Sequence, residues 1–364
     1  MVSCPSGIDS ISQPQQRWRF ANLLELNMKA VGYRQSLPVD DVESLLDIEI
    51  SKPEPMARDL LVEVKAVSVN PIDTKVRMRQ APENGEYKIL GYDAAGIVIR
   101  IGSDCTLFKE GDEVYYAGAL GRQGTDAEFH LVDERIAGKK PQSLGFADAA
   151  ALPLTSITAW ELLFDRFCVR PGKPHDEGTM LIVGGAGGVG SILIQLARKL
   201  TGLKVIATAS RPETREWCLS LGAHHVIDHS QSMSEQFKSI GFEWVEYIAS
   251  LTGTEMHYEK LVELLAPQGK FGVIDGPKTL DAMLLKTKCA SLHWEFMFAR
   301  SMFETADMSA QHLLLNEVAD LVDAGIIRTT AAAPLGTINA TNLRKAHALI
   351  ESGKAKGKLV LEGF

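Results

Sequence analysis

The sequence predicts an α/β protein of two domains, in which a doubly wound parallel sheet follows a β-rich, barrel-like unit. A chain of 364 residues is too long for one ordinary core. From about residue 153, apolar runs of strand length alternate with stretches of helical period, as in a parallel sheet with crossover helices. The segment 180–200, MLIVGGAGGVGSILIQLARKL, passes directly from a buried strand through a glycine turn into a helix.

Residues 1–27 have no apolar core for a secretory signal and carry Asp9 and Glu25, so they are expected to form a disordered leader outside the fold, or an over-extended gene start. The fold is expected to begin at Met28, with domains at 28–153 and 154–306 and a return to the first domain over 307–364. Strand-like runs at 60–69, 95–101 and 128–132, punctuated by glycine turns, make the first part barrel-like. Parallel strands are expected at 226–227, 245–249, 271–274 and 292–298. The end supplies helices at 312–324 and 343–351 and a strand at 358–362.

The glycine turn has a physical reading. Met180 to Val183 form an unbroken apolar run, as in a strand covered on both faces. Val189, Ile192, Leu193, Leu196 and Leu200 then recur at helical spacing, with Gly202 placed to stop the helix. Gly185, Gly187 and Gly190 give G-x-G-x-x-G, while Gly184, Gly187 and Gly190 give a G-x-x-G-x-x-G variant, and the sequence does not choose between them. Either register, with Gly188 and Val189 opening the helix, lets backbone N–H groups and the helix dipole meet a pyrophosphate. The bland alternative is a glycine-rich turn needed only for tight packing.

The next strand, 205–209, lacks the terminal acid that would bind the ribose hydroxyls of NAD. It ends in Ser210 and Arg211, with Arg215 one turn into the following helix, which favours the 2′-phosphate of NADPH. One charge-assisted bond of about 1.5–3 kcal/mol is enough for roughly tenfold discrimination or more. Alternatively, Ser210 caps the helix that begins at Pro212.

Composition narrows the class. A formal charge of −8 argues against a nucleic-acid partner, and no apolar run approaches membrane-spanning length. The five cysteines, Cys4, Cys105, Cys168, Cys218 and Cys289, lack C-x-x-C spacing, which suggests a reducing, cytoplasmic setting.

A barrel unit ahead of a late dinucleotide unit, with a C-terminal return, resembles the medium-chain dehydrogenase/reductase superfamily. Residues 70–75 (NPIDTK) are similar to the NPxDxK segment of its quinone oxidoreductases, 90–96 (LGYDAAG) to their G-x-D/E-A-A-G turn, and 153–166 (PLTSITAWELLFDR) to the helix entering the cofactor domain. Residues 210–217 (SRPETREW), 292–298 (LHWEFMF) and 353–364 (GKAKGKLVLEGF) resemble the subgroup called zinc-type alcohol dehydrogenase-like proteins. The resemblance covers Met28 to Phe364. It implies a GroES-like β-barrel catalytic domain, a Rossmann cofactor domain, a homodimer, and an NADPH-dependent enzyme acting on a small carbonyl or quinone.

Zinc-dependent relatives use a Gly-His-Glu sequence where this chain has Gly91-Tyr92-Asp93, and their catalytic cysteine has no counterpart near 67–70. Between Cys4 and Cys168 only Cys105 remains, so no metal site is expected. His224 and His225, adjacent after a helix, read as a solvated turn. Hydride transfer from the cofactor to a quinone or α,β-unsaturated carbonyl then suffices. The alternatives are a zinc-dependent alcohol dehydrogenase and a non-catalytic NADPH-binding redox sensor.

The resemblance also nominates site residues. Asn70 and Thr158 could bond the nicotinamide amide, against a turn role for Asn70 and a back-bonded helical hydroxyl for Thr158. Tyr92 could donate a proton or stack on substrate, or be a half-buried aromatic. Asp73 and Lys75 could form a proton relay or an ordinary ion pair. Ser250, Leu251 and Ile274, with Asp275, lie at strand ends where an open sheet places its ligand. His293, Trp294 and Phe296 lie on a strand that in related folds sits beside the active site or forms the dimer edge, with core or interface packing the favoured reading of Trp294 and Phe296; Lys358 reads as a cofactor neighbour or part of a solvated basic turn.

Overall fold

The computed structural model describes residues 27–172, 178–332 and 334–364; the leader, apart from Asn27, lies outside them. The chain opens with β1 (Asn27–Tyr33) and β2 (Leu46–Ser51), an antiparallel pair, and continues into β3 (Asp59–Val69). Helix α1 (Pro71–Arg79) follows, which the strand pattern did not announce. Asn70 stands at its N-cap in extended conformation, Pro71 supplies a preset φ, and the Asp73 carboxylate accepts the Asn70 N–H at 2.7 Å. Then come β4 (Lys88–Ile89), β5 (Ala94–Ile101), β6 (Glu113–Tyr116), β7 (Phe129–Asp133) and β8 (Ala137–Lys139).

β3 is the spine of this half. It pairs antiparallel with β5 and β7, and it breaks register between Leu61 and Val62 and between Val64 and Ala66, where the sheet curves. Gly96 is required opposite it, since a Cβ there would run into the Glu63 carbonyl.

Helices α2 (Phe146–Ala150) and α3 (Pro153–Trp160) lead out of the barrel, and α3 continues as a π-helical turn, Glu161–Arg166. The second half alternates β9 (Thr179–Val183), α4 (Gly188–Leu200), β10 (Lys204–Thr208), α5 (Pro212–Ser220), β11 (His225–Ile227), α6 (Met233–Ser239), β12 (Val245–Ser250), α7 (Thr254–Leu264), β13 (Leu265–Val273), α8 (Met283–Lys286) and β14 (Ser291–Trp294). The six strands are all parallel in the order β11-β10-β9-β12-β13-β14. The order reverses between β9 and β12, the switch point where such sheets bind ligands.

After α9 (Ala299–Met302), α10 (Ala310–Asp323) and α11 (Ala340–Glu351), strand β15 (Leu359–Glu362) pairs antiparallel with β3, so the C-terminus completes the first sheet. The fold is α/β, an antiparallel GroES-like unit joined to a Rossmann sheet. One apolar cluster runs from Val62 and Tyr115 in the barrel to Ile182 and Leu193 in the parallel unit, so the two halves share a core.

One expected boundary moves. The run 292–298 is strand only to Trp294; residues 295–298 turn off the sheet towards the first domain. Helix α4 ends at Leu200, as expected; its C-cap Thr201 is extended, and the Thr201 hydroxyl bonds Ala197 O at 2.6 Å and accepts the Leu203 N–H at 3.1 Å. Among the described residues no helix is long and apolar enough to cross a membrane.

Candidate functional site

Both glycine registers are used, because each glycine solves a different steric problem. Gly184 has φ +80°, a left-handed turn closed by Thr208 Oγ1 accepting its N–H at 3.0 Å. At Gly185 a Cβ would sit 2.7 Å from the Ala207 methyl. A Cβ on Gly190 would hit Gly184 O and stand 2.7 Å from Gly185 Cα, so the helix packs tightly on its own turn. Gly187, the N-cap of α4, meets only ordinary contact and lines the cavity, as do Gly188 and Val189. Backbone N–H groups at the start of a 13-residue helix face that cavity, a cradle that fits a pyrophosphate.

The cavity, about 600 Å³, runs between the two halves. Its lining follows the C-terminal ends of the parallel strands: Ser210 and Arg211 after β10, His229 after β11, Leu251 after β12, Ile274 after β13 and Glu295–Phe298 after β14. The facing wall comes from Asn70, Ile72 and Lys75 at the start of α1, Thr155 and Thr158 on α3, and Lys358 before β15. Its size suits a cofactor plus a small substrate.

Several nominated residues meet there and others do not. Thr158 lines the cavity, and its hydroxyl donates to Leu154 O at 2.8 Å, which leaves lone pairs to accept from a ligand amide. Arg211, not Ser210, is the N-cap of α5, its N–H bonding Thr214 Oγ1 at 3.3 Å; Ser210 is therefore exposed at the cavity edge rather than capping. The Arg211 guanidinium is held beside the cavity by Lys354 O at 3.1 Å and Glu213 at 2.8 Å. Arg215, one position past Thr214, is exposed and does not line the cavity; its charge helps lower the Asp228 carboxyl together with Ser230 and His229. Ser250 is also outside, buried and bonded to Thr254 Oγ1 at 2.7 Å.

Tyr92 is a correction. It lies behind the wall, 1 % exposed, with its ring edge-on to Phe298 at 5.4 Å, so it neither stacks on a ligand nor reaches one. Burial drives its phenol far above the ordinary range, reinforced by Asp73. Asp73 and Lys75 do not pair either. Asp73 is buried and accepts from Asn70 N at 2.7 Å and Gly91 N at 3.0 Å, whereas Lys75 is exposed on the cavity rim. Residues two places apart on a helix, as Asp73 and Lys75 are, point to different faces, which no relay spans.

Asp93 was not singled out, yet it is the hub. Its carboxylate accepts from Leu154 N (2.7 Å), Ser68 Oγ (2.9 Å), Asn70 Nδ2 (2.7 Å) and Lys358 Nζ (2.8 Å). Lys358 is 3 % exposed and also bonds Asn70 Oδ1 and Val69 O, so it belongs to no solvated turn. The Asn70 amide is thus committed to the protein. Just before it, the Gly357 N–H bonds Ala186 O at 3.0 Å, tying the C-terminal segment to the glycine turn. The available signal was an acid amid apolar residues at 92–95.

Against this geometry, family models match residues 56–152 as an alcohol dehydrogenase GroES-like domain and 221–361 as a zinc-binding dehydrogenase. Fold and cavity together define an oxidoreductase of the medium-chain dehydrogenase/reductase type. A zinc-type alcohol dehydrogenase-like protein of Staphylococcus aureus (strain MSSA476) is 40% identical over 339 residues, covering 92% of this chain and 99% of the relative. The chain belongs to this zinc-type alcohol dehydrogenase-like family. The 2-methylene-furan-3-one reductase of Solanum lycopersicum is 30% identical, covering 92% of this chain and 79% of that protein. The crystal structure of a protein from Rhizobium etli CFN 42 assigned to the zinc-dependent alcohol dehydrogenases is 57% identical, with TM-score 0.89, covering 93% of this chain and 99% of that one.

The family name raises zinc, but the donor set does not fit it. Among the described residues no three His, Cys, Asp or Glu side chains converge on one point.

Proposed function

We propose that this protein is an NADPH-dependent reductase of quinones or α,β-unsaturated carbonyls that works by direct hydride transfer without a metal. The observation that carries it is that one cavity joins the glycine turn and Arg211 at one end to the apolar wall of Ile72, Phe296, Met297 and Phe298 at the other. The enone-type substrate in the name of the Solanum relative supports the same substrate class.

The bound dinucleotide supplies the hydride. The chain supplies position and charge. Gly187, Gly188 and the start of α4 hold the pyrophosphate, while Ser210 and Arg211 face the 2′-phosphate. Thr158 accepts an N–H of the carboxamide. Phe296 and Phe298 exclude water from the transfer site, and Ile72 closes the opposite side. Lys75, with no ion pair or hydrogen bond among the described residues, places a cation at the rim, where negative charge grows on the substrate oxygen and a water can deliver the proton. Asn70, Lys358 and Asp93 hold the α1 start rigid.

The test is NADPH and NADH oxidation against a panel of quinones and enones, with metal analysis of dialysed protein. NADPH-selective turnover without bound metal is expected. Stoichiometric zinc with activity lost to chelation would overturn the metal-free mechanism, and tight NADPH binding with no turnover would make the protein a redox sensor.

A further inference from the structure

Glu295 follows β14, where its backbone N–H donates to Val273 O at 2.9 Å, and it opens the wall 295–298. Its side chain is fully buried. Glu161, first residue of the π-helical turn, is 1 % exposed and lies against it. One guanidinium touches both: Arg166 Nε is 2.8 Å from Glu295 Oε2, and its Nη2 is 3.7 Å from Glu161 Oε2. The two buried carboxyls thus share one guanidinium, and the Glu161 charge raises Glu295.

Two ionised carboxylates held together out of water repel, and neither carries a donor for the other. One proton relieves both. Glu295 Oε1 is buried and receives no N–H or O–H from any described residue, so a proton on Glu295 satisfies it by donation to Glu161. Glu161 is the better anion, because Arg300 Nη1 at 2.5 Å and Gln311 Nε2 at 3.0 Å both serve it. The same Gln311 amide donates to Met297 O at 2.7 Å, so the acid cluster grips the wall twice. Asp165 and Asp307 hold Arg300 from outside at 3.0 Å each. The remaining titratable neighbour, His293, is kept towards its neutral form by burial, Lys270 and Arg166.

We propose that Glu161 and Glu295 share a single proton and that this proton positions the 295–298 wall at the nicotinamide end of the cavity, making Glu295 a positioning residue. The inference rests on reading the cavity as a nicotinamide site. Burial, then the Glu161 charge, raise Glu295 to about 9, so the pair stays singly protonated across the neutral range and comes apart above it. Deprotonation places two buried anions side by side and frees residues 295–298.

Hydrogen–deuterium exchange over 295–303, corrected for the intrinsic pH dependence, tests this without substrate. The wild type is expected to show a step near pH 9, with exchange about tenfold faster one unit above it. NADPH affinity, read by fluorescence, weakens across the same step. Glu295→Gln keeps a neutral donor beside Glu161 and abolishes the exchange step. Glu161→Gln removes the second carboxyl and takes the step away from pH 9, and it carries the test if Glu295→Gln fails to fold. An unchanged step in both variants, or no step in the wild type up to pH 10, overturns the proposal. Failed turnover with every substrate counts against the reaction above and not against the pair.

Discussion

On the proposed reading cofactor choice turns on Arg211, which lines the cavity where Arg215 does not. Its exposed pairing with Glu213 is worth little and yields readily to a phosphate. Arg211→Ala is therefore expected to raise the NADPH Michaelis constant about tenfold or more and to leave NADH almost unaffected, as steady-state kinetics with both would show. Unchanged NADPH kinetics would sink the phosphate assignment. Asp73 gives a second residue-scale outcome. Burial pushes its carboxyl up to about 7, against the pull of the Asn70 and Gly91 N–H groups and Lys358. The folded state thus keeps a proton that the unfolded chain releases near pH 4, so this contribution is complete below about 4 and lost as pH rises to about 7. Urea unfolding across that window should show a shallower fall of stability in Asp73→Asn than in the wild type.

At the scale of elements, the Asp93–Lys358 pair binds β15 to the α1 start and to the N-terminus of α3. A buried pair is retained only while all its bonds are made, and removing one partner leaves an uncompensated charge. Lys358→Met is expected to cost about 3–5 kcal/mol in urea denaturation, with part recovered in the double variant Asp93→Asn/Lys358→Met. A loss below about 1 kcal/mol would mean that the network contributes little beyond surface pairing. The glycine turn behaves differently. At Gly184 an added Cβ meets both the left-handed φ of +80° and the Thr252 side chain at 2.8 Å. Gly184→Ala is expected to lower stability by about 1–2 kcal/mol and to weaken cofactor binding, measured by thermal melting with and without NADPH.

For the whole molecule, the Rossmann sheet ends on β14, an edge strand beside exposed Trp294 (53 %) and Phe296 (45 %). An open edge with apolar side chains is a template for a second copy, related by a two-fold axis. We expect a homodimer by light scattering, and a shift towards monomer in Trp294→Asp. A wild-type monomer at micromolar concentration would reject this edge as an interface.

Much of the fold was legible because period and glycine placement are local properties. The alternation after residue 153 and the passage 180–200 specify β9, the turn and α4 within a residue or two, and β3, β5 and β7 follow from their apolar runs. Helix α1 was hidden because its capping depends on one carboxylate reaching back to Asn70. Of the nominated residues, Gly184, Gly187, Gly190, Thr158 and Arg211 line the cavity, beside the motif that named them. Tyr92, Arg215 and Ser250 do not line it, because a turn of helix or a layer of packing decides which way a side chain faces.

What the sequence determined by itself was the two-domain α/β plan and the dinucleotide turn, since steric limits on glycine and the 3.6- and 2-residue periods act within a few neighbours. The tertiary structure alone decided that Asp93, Lys358 and Asn70 form one buried network and that Glu161 meets Glu295. Those contacts join residues 265 and 134 positions apart, and their energetics depend on exclusion from water, which only the closed fold provides.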